Sequence, residues 1–151
     1  MTRTKSDVHL LDTNLLIALA WPQHVHHAQA HAWFGKVGRK AWATCPLTQL
    51  GFVRISSNPK IIPDAVAPRD ALAVLVTIVD LPGHRFLTAD IAPIEAPVLG
   101  SFTLVGHRQV TDAYLLALAQ HHDGKLATLD KGVAELMPDN EQRARYVTLV
   151  E

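Results

Sequence analysis

The chain reads as an α/β domain built on a mostly parallel, doubly wound sheet, and three observations predict it. Short apolar runs alternate with longer stretches of helical periodicity, a pattern that needs crossover connections and therefore parallel strands. Aspartates stand at the mouths of three apolar stretches: Asp12 in HLLDTNLLIAL, Asp112 in QVTDAYLLALA and Asp130 in KLATLDKG. A carboxylate that ends a buried strand or opens a buried helix lies at the rim of a sheet, where such folds place their ligands. Finally, the 151 residues contain no repeat, low-complexity tract or break in composition. They are expected to form one domain, residues 1–151, able to bury about 70% of the surface of the unfolded chain.

Taken in order, Val8 to Leu11 is a short apolar strand stopped by Asp12-Thr13-Asn14, and a helix follows from Asn14 to Ala20. Trp21-Pro22 closes it. From His24 to Gly38, Val25, Ala28, Ala32, Trp33 and Val37 recur at helical spacing. Ala41 to Cys45 is a second strand. Pro46 opens a third helix that runs to about Ser57 and stops at Asn58-Pro59, and Pro68 to Leu81 is a fourth. Arg85 to Leu87 reads as a strand, and the proline-rich stretch from Ala92 to Gly100 as loop with a short turn or helix. Thr111 to His122 is a strong helix with Thr111 as N-cap, Asp112 in its first turn and Gly124 beyond its end. Lys125 to Thr128 and Tyr146 to Val150 complete a β-rich C-terminal edge.

Composition sets the bounds. Acids and bases number 14 each, which removes the bulk basicity of a protein that coats nucleic acid nonspecifically. Any RNA or DNA contact is local. Charged residues are only 19% and mean hydropathy is +0.11, so the chain is expected to hide apolar surface against a partner. The single cysteine, Cys45, excludes an internal disulfide and reads as a small buried residue of a reducing compartment. The apolar run Leu15 to Trp21 is too short to span a membrane, and polar MTRTKSD at the start is no leader, so a cytoplasmic location is expected.

Three strand-end or helix-start carboxylates facing one crevice repel, and each raises the pKa of the others unless a cation neutralises them. Mg²⁺ or Mn²⁺ suits an all-oxygen site, keeps several waters and binds phosphates, so the chemistry expected is metal-assisted phosphodiester hydrolysis. Asp112 is further expected to be held ionised by the positive end of its helix.

LLDTNLLIAL, TQLGFVRISSNP, GHRQVTDAYLLALA and KLATLDKG resemble, in order and over nearly the whole chain, the successive motifs of the PIN-domain family, and within it the VapC-type toxins. The resemblance implies a three-layer α/β/α fold, a Mg²⁺- or Mn²⁺-dependent endoribonuclease, a VapB-type antitoxin whose C-terminal segment blocks the crevice, and a homodimer. It implies that Asp12, Asp112 and Asp130 are the first, third and fourth acidic positions of the family and its metal ligands. The second position, usually glutamate after threonine, is Thr48-Gln49 here. Gln49 keeps an amide oxygen of similar reach without the charge. It is assigned to positioning water or metal, and a second metal would bind more weakly.

Further candidates have plainer readings beside them. Arg54 and Arg108 suit phosphates through bidentate guanidinium contacts, or form ordinary salt bridges; Lys131 resembles them. Thr13 and Asn14 would assist substrate binding beside Asp12 or cap its helix, and Thr128 would support Asp130 or simply line a strand. His24, His26, His27 and His31 raise a zinc reading, but no third ligand completes it and a solvated face is favoured. His121-His122 suits a helix C-terminus. Trp21, Trp33 and Trp42 pack or form an interface rather than stack on bases. Two other functions stay open. One is a catalytically weakened scaffold that binds antitoxin or RNA. The other is a phosphoacceptor domain of flavodoxin-like type, disfavoured because Asp12 lacks an acidic neighbour.

Overall fold

A computed structural model of the chain describes residues 8–95 and 106–151. Its elements in chain order are β1 (His9–Leu11), α1 (Thr13–Ala20), α2 (His27–Lys36), β2 (Trp42–Thr44), α3 (Pro46–Ser56), α4 (Pro68–Val79) and β3 (His84–Phe86). After the undescribed segment come α5 (Val110–His121), β4 (Lys125–Thr128), α6 (Lys131–Ala134), α7 (Asn140–Tyr146) and β5 (Val147–Leu149). Every strand pair is parallel, in the order β3-β2-β1-β4-β5.

The strands alternate between two cores. Leu10, Ala43, Leu126 and Val147 face one side, where α5 lies with Val133, Ala134, Leu136 and Met137. Leu11, Trp42 and Ala127 face the other, where Leu15, Leu16, Phe52 and Leu75 bring in α1, α3 and α4. Successive strand residues point to opposite faces, so a strand of three residues serves both cores through neighbouring apolar side chains, as Leu10 and Leu11 do in β1. This is the three-layer α/β/α arrangement the sequence predicts. Helix α5 is buried from Ala113 through Ala119, all round its circumference, which accounts for its unbroken apolar run.

The expected elements exist, with shifts at their ends. The second helix starts at His27 rather than His24 and finishes at Lys36, followed by a 3₁₀ turn over Gly38–Lys40. α3 ends at Ser56, α4 at Val79, and the third strand is one residue earlier than expected. The expected loop at 92–100 is described only as far as Glu95. Thr111 is not the cap of α5: the helix begins at Val110 with Gln109 at the cap and no side-chain capping bond, because a 3₁₀ turn over His107–Gln109 leads straight into it. The predicted β-rich C-terminus contains two unforeseen helices between β4 and β5. α6 has only four residues, and α7 buries none of its residues, so neither presents an apolar stripe.

The strand order carries the functional consequence. The chain winds outward from β1 through β2 to β3, then returns to place β4 on the other side of β1. Connections therefore leave β1 and β4 in opposite directions, and a crevice opens at the carboxyl ends of those two strands.

Candidate active site

Asp12 follows β1 directly. Its backbone N–H donates to Ala127 O of β4 at 3.0 Å, which clamps the strand end at the crevice. The side chain caps α1: Leu15 N donates to Oδ1 at 2.8 Å. Thr128, the last residue of β4, donates from its hydroxyl to the other carboxylate oxygen at 2.5 Å and accepts from Asp130 N at 3.0 Å. One threonine thus ties together the first and last acidic positions. Asp12 is only 4% exposed, and burial lifts its pKa from 3.8 to about 7. The Thr128 and Leu15 bonds oppose that rise, whereas the charges of Asp112 and Asp130 add to it.

Asp112 lies in the first turn of α5, half-buried. Its pKa is raised to about 6, first by burial and then by the Asp130 charge. Both causes favour the protonated acid, opposite in direction to the effect expected of the helix terminus. Asp130 caps α6 through Gly132 N at 2.8 Å and is exposed, the most hydrated of the three. All three carboxylates sense one another across the crevice, although they do not close to within 4.8 Å as a group. Among the described residues a trio that tight forms elsewhere, from Asp90, His121 and His122.

Gln49 sits one turn into α3, whose start is locked by Thr48 and Cys45: Thr48 Oγ1 accepts from Cys45 N at 3.0 Å. Because β2 lies parallel beside β1, this helix opens at the same edge of the sheet as Asp12. Gln49 Nε2 donates to Thr44 Oγ1 at 3.0 Å, and the same hydroxyl pairs with His84 Nε2 at 2.7 Å. Thr44 thereby orients the carboxamide. Sequence reasoning missed it, since nothing marks a strand threonine as the anchor of a residue five positions on.

The other candidates separate. Thr13 is turned toward α3, where a Cβ on Gly51 would lie 2.8 Å from its Oγ1, and Asn14 is exposed. Neither caps α1, a task Asp12 performs itself. Arg54 is exposed in the last turn of α3, about 7 Å along the axis from Gln49, and forms no ion pair among the described residues. Arg108 belongs to the 3₁₀ turn ahead of α5, with its side chain outside the description. His27 and His31 form hydrogen bonds to Ala18 O and Leu19 O at 2.8 and 2.9 Å, satisfying the end of α1. Trp42 is fully buried, and Trp21 stacks on Phe52 while donating to Ser56 Oγ at 2.9 Å. Cys45 is buried and free.

A parallel sheet with buried, mutually coupled carboxylates at its switch point defines a class of acidic-rim α/β proteins, and residues 9–137 match the family model described as the PIN domain. The chain belongs to the PIN-domain family. It is 49% identical over 127 residues to Ribonuclease VapC38 of Mycobacterium tuberculosis, covering 84% of this chain and 88% of that protein. Over 126 residues it is 43% identical to Ribonuclease VapC39 of the same species, covering 83% and 91%. Among solved structures it resembles a chain of VapBC2 from Rickettsia felis bound to a promoter DNA fragment, with a TM-score of 0.57 at 9% identity over 95% of this chain and 99% of that one. At so low an identity the likeness speaks for the fold. No described helix is long and apolar enough to cross a membrane.

Proposed function

We propose that this protein is an endoribonuclease of the VapC type, the toxin of a VapBC-type toxin-antitoxin pair, and that it hydrolyses RNA phosphodiester bonds at the Asp12, Asp112 and Asp130 rim. The observation that carries the reading is electrostatic. Asp12 and Asp112 sit at the switch point with pKa values pushed up to about 7 and about 6, so the site is costly to ionise alone and favours a divalent cation. The donor set fits a hard ion, being carboxylate oxygens and a carboxamide with no thiol or imidazole among them. Asp12 and Asp112 would hold Mg²⁺ or Mn²⁺, with Asp130 beside them. A bound ion of this kind supplies Lewis acidity toward a phosphate oxygen and toward water.

The chain's own residues do the rest. Thr128 fixes one oxygen of the Asp12 carboxylate, and the first turn of α1 holds the other through Leu15 N. Gln49, set by Thr44, presents an uncharged amide where the family usually has glutamate, and it would orient a water or a phosphate oxygen. Arg54, Arg108, Thr13 and Asn14 remain candidates for flanking RNA contacts. Relatives named ribonuclease at up to 49% identity support the substrate class.

A partner is supported by exposed apolar side chains. Leu72 and Val76 lie one turn apart on α4, exposed by 52% and 59%, and Leu50 of α3 is exposed by 68%. An apolar cavity of about 410 Å³ between Trp21, Val25, Ile61 and Ile62 adds to this surface. A VapB-type antitoxin and a second copy of the chain would cover such surface in the cytoplasm.

The test is cleavage of total RNA by the purified protein with Mg²⁺ or Mn²⁺, compared with Asp112→Asn and Gln49→Glu. Metal-dependent cleavage abolished by Asp112→Asn is the expected result, and cleavage indifferent to that change would end the proposal. Gln49 motivates a second reading, a weakened nuclease serving mainly as a binding scaffold. A strong gain of activity in Gln49→Glu would favour it.

A further inference from the structure

We infer that Asp90, His121 and His122 form a second metal site, for a single borderline transition ion of the zinc class, at the opposite end of α5 from the acidic rim. His121 is the last residue of α5 and His122 its cap, about 18 Å along the helix from its start. Their Nε2 atoms approach the two oxygens of the Asp90 carboxylate separately, at 3.2 Å from His121 and 3.1 Å from His122. The three ligand atoms lie within 4.8 Å of one another. Zinc bonds of about 2.0–2.1 Å in tetrahedral array place neighbouring ligand atoms about 3.3 Å apart, so the donors already stand near the required edges.

Two features of the fold hold this arrangement. Adjacent side chains on a helix diverge by about 100°, and two histidines in sequence seldom reach one carboxylate. Here α5 ends in a left-handed turn: Gly124 N donates to Ala119 O at 2.8 Å and Asp123 N to Gln120 O at 3.0 Å, with Asp123 at φ 58°. That turn fixes the backbone of His122 while its ring reaches back to Asp90; the same Nε2 stands 3.1 Å from Thr88 O, a hydrogen bond that a bound ion would replace. The helix C-terminus also carries partial negative charge, which favours a cation at this place. Two imidazoles and one carboxylate with solvent on the open side suit Zn²⁺ or Co²⁺, whereas the all-oxygen rim suits Mg²⁺ or Mn²⁺. The ion would pin the irregular segment that follows β3 to the end of α5, a structural role independent of RNA cleavage.

The experiment uses Co²⁺ and Zn²⁺ with metal-free full-length protein. One equivalent of Co²⁺ should give the intense visible absorption of a four-coordinate, nitrogen-ligated ion. Zn²⁺ should abolish that absorption at equimolar concentration, and excess Mg²⁺ should leave it unchanged. Asp12→Asn should retain the spectrum, and His121→Ala with His122→Ala should lose it together with the rise in melting temperature that Zn²⁺ produces. Asp90→Asn, which keeps an oxygen in place, should weaken Zn²⁺ at least tenfold. A spectrum that survives the double histidine change, or one lost in Asp12→Asn, would overturn the assignment, as would absence of any Co²⁺ absorption in the parent.

Discussion

With metal chelated at pH 8, Asp12→Asn should be more stable than the parent even though it is expected to be inactive. Burial and two neighbouring carboxylates lift Asp12 from 3.8 to about 7. Between those pH values the native protein keeps a proton that the unfolded chain has released, so stability falls as pH rises through the window and levels off above about 7. The full span corresponds to about 4 kcal/mol, and the part between pH 5 and 8 to about 2–3 kcal/mol. Asparagine carries no such cost and caps a helix as well as aspartate does. The rise to about 7 already includes the opposing bond from Thr128, so the net gain at pH 8 should be about 3–4 kcal/mol. Urea unfolding of both proteins in EDTA at pH 5, 6, 7 and 8 measures it. A gap that stays constant with pH, or a variant less stable at pH 8, would refute the electrostatic account of the site. Mn²⁺ should then raise the parent's midpoint well above any change in the variant.

Cleavage at limiting Mn²⁺ should climb from pH 5 to pH 8 as Asp112 and Asp12 release their protons, and saturating Mn²⁺ should move that rise toward acid, because metal and protons compete for the same oxygens; a pH-rate curve insensitive to metal concentration would contradict it. Gly51→Ala should cost about 1–3 kcal/mol, since the added methyl would meet Thr13 Oγ1 at 2.8 Å and Cγ2 at 2.9 Å, and Thr13→Ala should recover most of the loss in the double variant. Thermal unfolding of the four proteins in that cycle reads the coupling. Trp21→Phe should destabilise by about 1–3 kcal/mol while keeping the ring stack on Phe52, because Ser56 Oγ, fully buried, loses its donor; an unchanged urea midpoint would show that the indole bond contributes nothing.

Much of the architecture was legible because its signals are local. Proline at the start of α3 and α4, Asp12 ahead of α1 and the short apolar runs within β1, β2 and β4 each announce an element within a few residues. α7 was missed although Asp139 accepts from Glu141 N and Gln142 N, a capping signature readable in Asp-Asn-Glu-Gln. It buries no residue and carries only Ala144 and Tyr146 among five polar side chains, so periodicity had little to detect. The helical reading of residues 24–26 rested on the apolar spacing that begins at Val25, but Pro22 and the turns linking Trp21, His24 and His27 delay the start of the helix to His27.

The residue types at the rim were also present in the sequence, since a carboxylate after an apolar strand or at the mouth of a buried helix has few places to go. What the sequence by itself determined was therefore the list of elements, the parallel sense of the sheet and the identity of its terminal acids, all set by steric and solvation preferences that act over a turn or a strand. The tertiary structure alone decided which strands became neighbours, that Thr128 would bridge Asp12 to Asp130, that Thr44 would steer Gln49, and that burial would raise the pKa of Asp112. It also brought Asp90 to a pair of histidines more than 30 residues away. Such pairings depend on distances through space, and a pKa depends on how much water remains around the group; neither quantity exists until the chain has closed upon itself.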